Sequence, residues 1–243
     1  MIVSEFIMWV AATLGIITLI AILAERFGVE IAIGIYAALT VIANIIAVKV
    51  ITVGEIPYFG MIVGPAGVIV YASTFLVTDI LGEIYGKEYG KKAVITGLAA
   101  NIVAIISILI ALKWTPAPFV SQEFLKSFES VLGLAPRVVI ASIIAYAISQ
   151  THDVYAFHFW KQKTNGRFLW FRNNASTMVS QLIDTVIFIT IAFYGVFEPN
   201  VILSLIVGQY ILKLIIAAID TPFMYIAVQA WKAMGREMRV EAA

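Results

Sequence analysis

Residues 201–230 read VILSLIVGQYILKLIIAAIDTPFMYIAVQA. A membrane-spanning helix needs roughly 20 predominantly apolar residues, and this run exceeds that. A barrel strand would be about ten residues long and would alternate apolar with polar. This segment is too long and is apolar on most sides. Gln209, Lys213 and Asp220 interrupt it at spacings of four and seven, which places them on one helix face. A charge at the bilayer centre costs about 2.5–3.5 kcal/mol on insertion scales. The stripe therefore belongs on a face turned from lipid, toward other helices.

The rest of the 243-residue chain has the same character. It is 62% hydrophobic and only 13% charged, against about 25% charged in soluble domains. Its mean hydropathy is +0.99. No soluble fold can bury that much apolar surface. The net charge of +1 gives no reason to expect a nucleic-acid partner. Cysteine is absent, which excludes disulfides, thiolate metal sites and a cysteine nucleophile. Glu5 is the only charge before the first apolar run, so that run reads as a retained helix rather than a signal peptide.

The expected fold is an all-α integral membrane protein, one transmembrane domain over residues 1–243. Seven spans are expected: Ile7–Ala24, Val29–Val53, Met61–Leu81, Ala93–Leu112, Arg137–Phe159, Ala175–Phe197 and Val201–Ala230. Strands are a poor reading of these runs. The connections separate by charge. Arg26, Lys87, Lys91, Lys92, Lys161, Lys163, Arg167, Arg172, Lys232, Arg236 and Arg239 fall in one alternating set. The other set holds Lys113, Lys126 and, at a span edge, Arg137. The positive-inside rule then puts the N-terminus outside and the C-terminus in the cytoplasm. In the long outer connection, residues 113–136, Trp114, Phe119, Phe124, Leu125, Phe128 and Leu132 recur at roughly helical spacing. A short helix on the membrane surface fits that pattern better than a lid.

The main functional signal is polarity inside the spans. Asn44, Lys49, Asp79, Asn101, Gln150, Asp153, Gln181, Asp184, Gln209, Lys213 and Asp220 all lie there. Tyr146, Gln150 and Asp153 share a face, as do Thr177, Gln181 and Asp184; Asp79 and Glu83 are one turn apart. One stripe on each of four helices points to a shared cavity near the midplane, with Asp184 and Lys213 at similar depth. The plainer alternative is that these groups only tie helices together. Gly64-Pro65-Ala66-Gly67 reads as a helix break or a simple kink. His152-Asp153 with His158 suggests a catalytic or metal site only weakly, since the spacing matches no zinc motif.

The pattern resembles the queuosine precursor transporter family, also called vitamin-uptake-transporter-like. The resemblance rests on Ala43-Asn44 with Lys49, and on Phe75-Leu76-Val77-Thr78-Asp79 followed by Glu83-Ile84-Tyr85-Gly86. It continues from Ala135 to Asp184, through Arg137, Tyr146, Gln150, Asp153 and Ser180 to Asp184, and extends to Tyr210, Lys213 and Pro222. The resemblance implies uptake of 7-deazaguanine bases, namely queuine or its nitrile or aminomethyl precursors. It also implies a six-helix core like the substrate-binding subunits of energy-coupling-factor vitamin importers, with one N-terminal span added.

A guanine-like edge places N–H and NH₂ donors side by side, which one carboxylate can accept together. An amide or ammonium can reach the ring carbonyl, and aromatic rings can stack on the base. The candidate binding residues are Asn44, Phe75, Asp79, Tyr146, Gln150, Asp153, Gln181, Asp184, Tyr210 and Lys213. The expected protein is a multi-pass importer in the cell inner membrane that takes a planar purine-like base. It catalyses no reaction and calls for no cofactor. No GxxxxGK[ST] run is present, so an ATP-driven cycle would need a partner. A proton gradient, facilitated diffusion with trapping, an energising partner and a homo-oligomer all stay open. The alternatives are a vitamin-binding subunit of an ATP-driven importer and an intramembrane enzyme using His152, Asp153 and His158.

Overall fold

A computed structural model of the chain describes residues 2–56, 60–164 and 169–234. The elements are α1 (Ile2–Phe27), α2 (Glu30–Ile46), β1 (Val50–Ile56), β2 (Gly60–Pro65), α3 (Gly67–Tyr85), α4 (Lys87–Lys113), α5 (Gln122–Leu132), α6 (Ala135–Lys163), α7 (Leu169–Phe193) and α8 (Pro199–Ala233). The fold is all-α apart from one small hairpin. Among the described residues, five helical stretches are long and apolar enough to cross a membrane: Ser4–Ala24, Gly67–Tyr85, Glu88–Lys113, Gln122–Ser149 and Pro199–Ala233. Glu30–Ile46 and Met178–Phe193 are shorter apolar helical stretches. α4 leaves Ile95, Leu98, Ile102, Val103, Ile106, Leu109 and Ile110 exposed. In water such a stripe would be a liability; against lipid tails it is the natural outer surface.

The hairpin corrects the reading of residues 47–53 and 61–66 as the ends of two helical spans. α2 stops at Ile46, and α3 does not begin until Gly67. Between them β1 and β2 pair antiparallel, with Val50 opposite Pro65 and Ile56 opposite Gly60. The segment Val50-Ile51-Thr52-Val53 is entirely β-branched, which favours extended backbone. Its length and apolarity resemble those of a helix, which is why hydropathy does not separate the two. The Ala66 amide donates to the Lys49 carbonyl at 2.7 Å, closing the base of the hairpin. Non-helical backbone within a membrane protein is tolerated where its polar groups are paired and packed against protein. Here the facing edges of β1 and β2 pair with each other, and β2 packs against α8. β2 lies against α8 so closely that a Cβ at Gly208 would collide with the Val63 carbonyl oxygen, and one at Gly64 would come within 2.9 Å of Leu212 Cδ1.

α1 is not peripheral. Val10 and Leu14 are fully buried in a cluster with Leu76, Ile80, Leu81 and Ile84 of α3 and Leu212, Ile216 and Trp231 of α8. A second cluster joins Val138 and Ala141 of α6 to Ile189 and Phe193 of α7 and Leu205 of α8, with Ala47 beyond the end of α2. Small residues allow the closest approaches, as is usual between membrane helices. A Cβ at Gly67 would collide with the Ala43 carbonyl oxygen, and one at Gly97 would come within 2.6 Å of the Tyr36 ring. α3 turns into α4 at Gly86, whose φ of 97° suits glycine alone. The long connection between α4 and α6 does contain a short helix, α5, started by Ser121, whose Oγ accepts from the Phe124 amide at 3.3 Å. Phe124 and Phe128 stack on it at 6.4 Å, and none of its residues is buried.

Candidate functional site

The two apolar clusters meet at a small cavity of about 30 Å³. Val68 of the first cluster and Ala47 of the second both reach it. Its walls come from several places in the chain. α2 and its end give Ala43, Asn44 and Ala47. The strand-to-helix junction gives Pro65 and Gly67. α3 gives Val68 and Tyr71, α6 gives Ser142, α7 gives Asp184 and Phe188, and α8 gives Gln209 and Lys213.

The polar centre of the cavity is an ion pair. Lys213 Nζ donates to Asp184 Oδ2 at 2.6 Å, with side chains only 6% and 11% exposed. Each residue lies within about 5 Å of the midpoint of its own helix, at about 1.5 Å per residue. The Ser149 hydroxyl sits 3.3 Å from Asp184 Oδ1 and 3.2 Å from the Tyr146 carbonyl. The carboxylate therefore accepts from an ammonium on one side and shares a hydroxyl on the other. Close pairing with further hydrogen bonds is the condition under which two charges can stay out of water.

Asn44 is held from behind. Its Nδ2 donates to Asn101 Oδ1 at 2.7 Å, while Asn101 Nδ2 donates to Thr40 Oγ1 at 3.0 Å and to the Gly97 carbonyl at 2.8 Å. All three side chains are buried. This chain of bonds ties α2 to α4 and fixes the orientation of the Asn44 amide at the cavity wall. Gln209 is 4% exposed, one turn before Lys213, and its Oε1 has no hydrogen-bond partner among the described residues.

Three of the candidate residues therefore line this cavity: Asn44, Asp184 and Lys213. The other described candidates are placed elsewhere. Phe75 packs edge-on against the lining Tyr71, with ring centroids 5.7 Å apart. Asp79 is exposed one turn further along α3, and Gln181 and Tyr146 are half-buried. The Tyr210 hydroxyl donates to the Met178 carbonyl at 3.3 Å. Lys49 is exposed in the turn before β1, and Asp220 is half-buried well beyond Lys213 on α8. The side chains of Gln150, Asp153 and His158 lie outside the described residues. His152 Nδ1 is 3.0 Å from Ser180 Oγ, a tie between α6 and α7.

Sequence reasoning passed over Tyr71, Ser142 and Ser149. On α6 the buried face carries Ala141, Ala145 and Ser149, with Ser142 beside it, rather than the more conspicuous Tyr146 stripe. The spacing of seven between Ser142 and Ser149 was the available signal. Gly64-Pro65-Ala66-Gly67 is the junction between β2 and α3, not a kink within a helix.

The "Putative vitamin uptake transporter" family model matches residues 65–227, from the end of β2 through most of α8. The chain belongs to this vitamin uptake transporter family. Among its relatives is a "Probable queuosine precursor transporter" of Bacillus subtilis (strain 168), 34% identical over 190 residues. That match covers 77% of this chain and 79% of the relative. A protein of the same name from Haemophilus influenzae (strain ATCC 51907 / DSM 11121 / KW20 / Rd) is 28% identical over 133 residues, 55% of this chain and 53% of the relative. No solved structure matches the chain. Membership of the vitamin uptake transporter family makes the chain a multi-pass membrane transporter with a small-molecule substrate. Both relatives are named for transport, not for catalysis. Within this family member, Asn44 is the one polar lining residue that lies before the matched region.

Proposed function

We propose that this transporter imports 7-deazaguanine bases, queuine or its nitrile or aminomethyl precursors, and binds them at the Asp184–Lys213 pair. One observation carries the reading beyond the relatives' names: a buried ammonium and carboxylate stand side by side on the wall of a central cavity. The corresponding edge of a guanine-like base presents a carbonyl acceptor beside N–H and NH₂ donors. Lys213 complements the carbonyl, and Asp184 complements the two donors in a bidentate, charge-assisted contact. Tyr71 and Phe188, which line the same cavity, offer faces for a flat ring. In the empty protein the two charges satisfy each other. A base needs more room than this cavity gives, so the walls part as it enters; it exchanges that contact for two of its own, and the site stays paired in both states. Analogues without the donor edge leave the carboxylate poorly matched and are rejected strongly.

The test is a thermal-shift and calorimetric panel of 7-deazaguanines, other purines and vitamins on the purified protein. The 7-deazaguanines should bind best. Asp184→Asn replaces an acceptor oxygen by a donor amide and should weaken binding by about 2 kcal/mol or more, roughly 30-fold. Binding of another solute class with no response to 7-deazaguanines would refute the substrate.

A further inference from the structure

Gln209 is the polar lining residue that the ion pair and the asparagine network leave unexplained. It is 4% exposed, yet its Oε1 has no hydrogen-bond partner among the described residues. An orphaned buried acceptor is costly to keep. In a helix otherwise rich in isoleucine and leucine, such a residue calls for a donor that arrives from elsewhere. Its position says from where. Gln209 lies on the cavity wall one helical turn from Lys213. The backbone there is pinned: Gly64 of β2 packs against it, with Gln209 Cα 3.8 Å from where a Gly64 Cβ would stand. The amide is thus presented to the cavity by a rigid pair of elements rather than by a loop.

We infer that Gln209 reads the second hydrogen-bonding edge of the base and so selects the free base over its nucleoside. This rests on the proposed 7-deazaguanine substrate. With one edge of the base on Asp184 and Lys213, another edge carries the five-membered ring N–H beside a ring nitrogen acceptor of the six-membered ring. A carboxamide matches that edge in both atoms: Oε1 accepts from the N–H and Nε2 donates to the ring nitrogen. The same two-point logic lets glutamine and asparagine read adenine in nucleic acids. In a nucleoside the N–H is gone, because that nitrogen bears the ribose. Oε1 would then stay unpaired and the sugar would press on the α8–β2 wall.

The experiment measures calorimetric affinity for three probes: 7-aminomethyl-7-deazaguanine, its derivative methylated on the five-membered ring nitrogen, and its nucleoside. Wild type should bind the free base at least about tenfold more tightly than the other two, the usual scale for losing a good two-point contact. Gln209→Leu should lose about tenfold toward the free base and bring the free base and the methylated derivative to similar affinities. Its ligand-free melting temperature should be unchanged or higher, because an unsatisfied polar group has been removed. A glutamine that merely held helices together would give the opposite result, a lower melting temperature. If Gln209→Leu does not fold, Gln209→Met, of nearly the same length, decides. Wild-type discrimination that persists in the folded variant overturns the role of Gln209 and leaves the substrate assignment standing. Failure of wild type to bind any of the 7-deazaguanines overturns both.

Discussion

Lys213→Met is the most informative single perturbation, because it separates an ion pair from two neighbouring polar groups. Lys213 and Asp184 are 2.6 Å apart and almost wholly enclosed. Removing the ammonium leaves the carboxylate with only the shared Ser149 hydroxyl at 3.3 Å. Truncating one member of a buried pair typically costs about 3–5 kcal/mol. Insertion scales put a lone midplane charge at about 2.5–3.5 kcal/mol. The two ranges overlap at about 3 kcal/mol for Lys213→Met, with a similar loss for Asp184→Asn, which strands the ammonium. For a chain of this size that is roughly a 6–12 °C fall in melting temperature. The double variant strands nothing, since both charges are gone. It should melt within about 1 kcal/mol of wild type, as replaced buried pairs often do. The assay is thermal unfolding of the four proteins in one detergent without ligand, combined as a double-mutant cycle. A coupling energy below about 0.5 kcal/mol, meaning that the two losses simply add, would refute the claim that these residues neutralise each other.

Two further expectations concern the hairpin and the topology. Gly208→Ala places a methyl group against the Val63 carbonyl, so β2 must move away from α8; it should cost about 1–3 kcal/mol and weaken ligand binding with it. Wild-type stability and affinity in that variant would show that the hairpin does not need its close seat. Lys91 should face the cytoplasm and Lys126 the outside. Because the chain has no cysteine, single cysteines at these exposed positions can be probed in intact cells with an impermeant thiol reagent. Labelling at position 91 and protection at 126 would invert the proposed orientation.

The sequence alone determined the environment. Long apolar runs interrupted by a few charges can be stable only in lipid, and the cost of those charges there is enough to mark Asp184 and Lys213. Periodicity also put both at the same depth, which left a contact between α7 and α8 as a natural consequence. Hydropathy could not reveal the hairpin at residues 50–65. A β-branched apolar run reads the same whether its backbone bonds within a helix or across to a second strand. What decides is a partner: the fit of β2 against Gly208 on α8, made by residues more than 140 positions apart. The same limit applied to the cavity wall. Tyr71 and Ser142 on that wall, and Ser149 beside Asp184, are ordinary residues in their own helices, whereas Tyr146, Asp79 and Tyr210 are more conspicuous. Spacing says which residues share a face of one helix, but not which way that face turns. Only the packing of α3, α6 and α8 around a common space sets that rotation, because it depends on every side chain that must be buried at once.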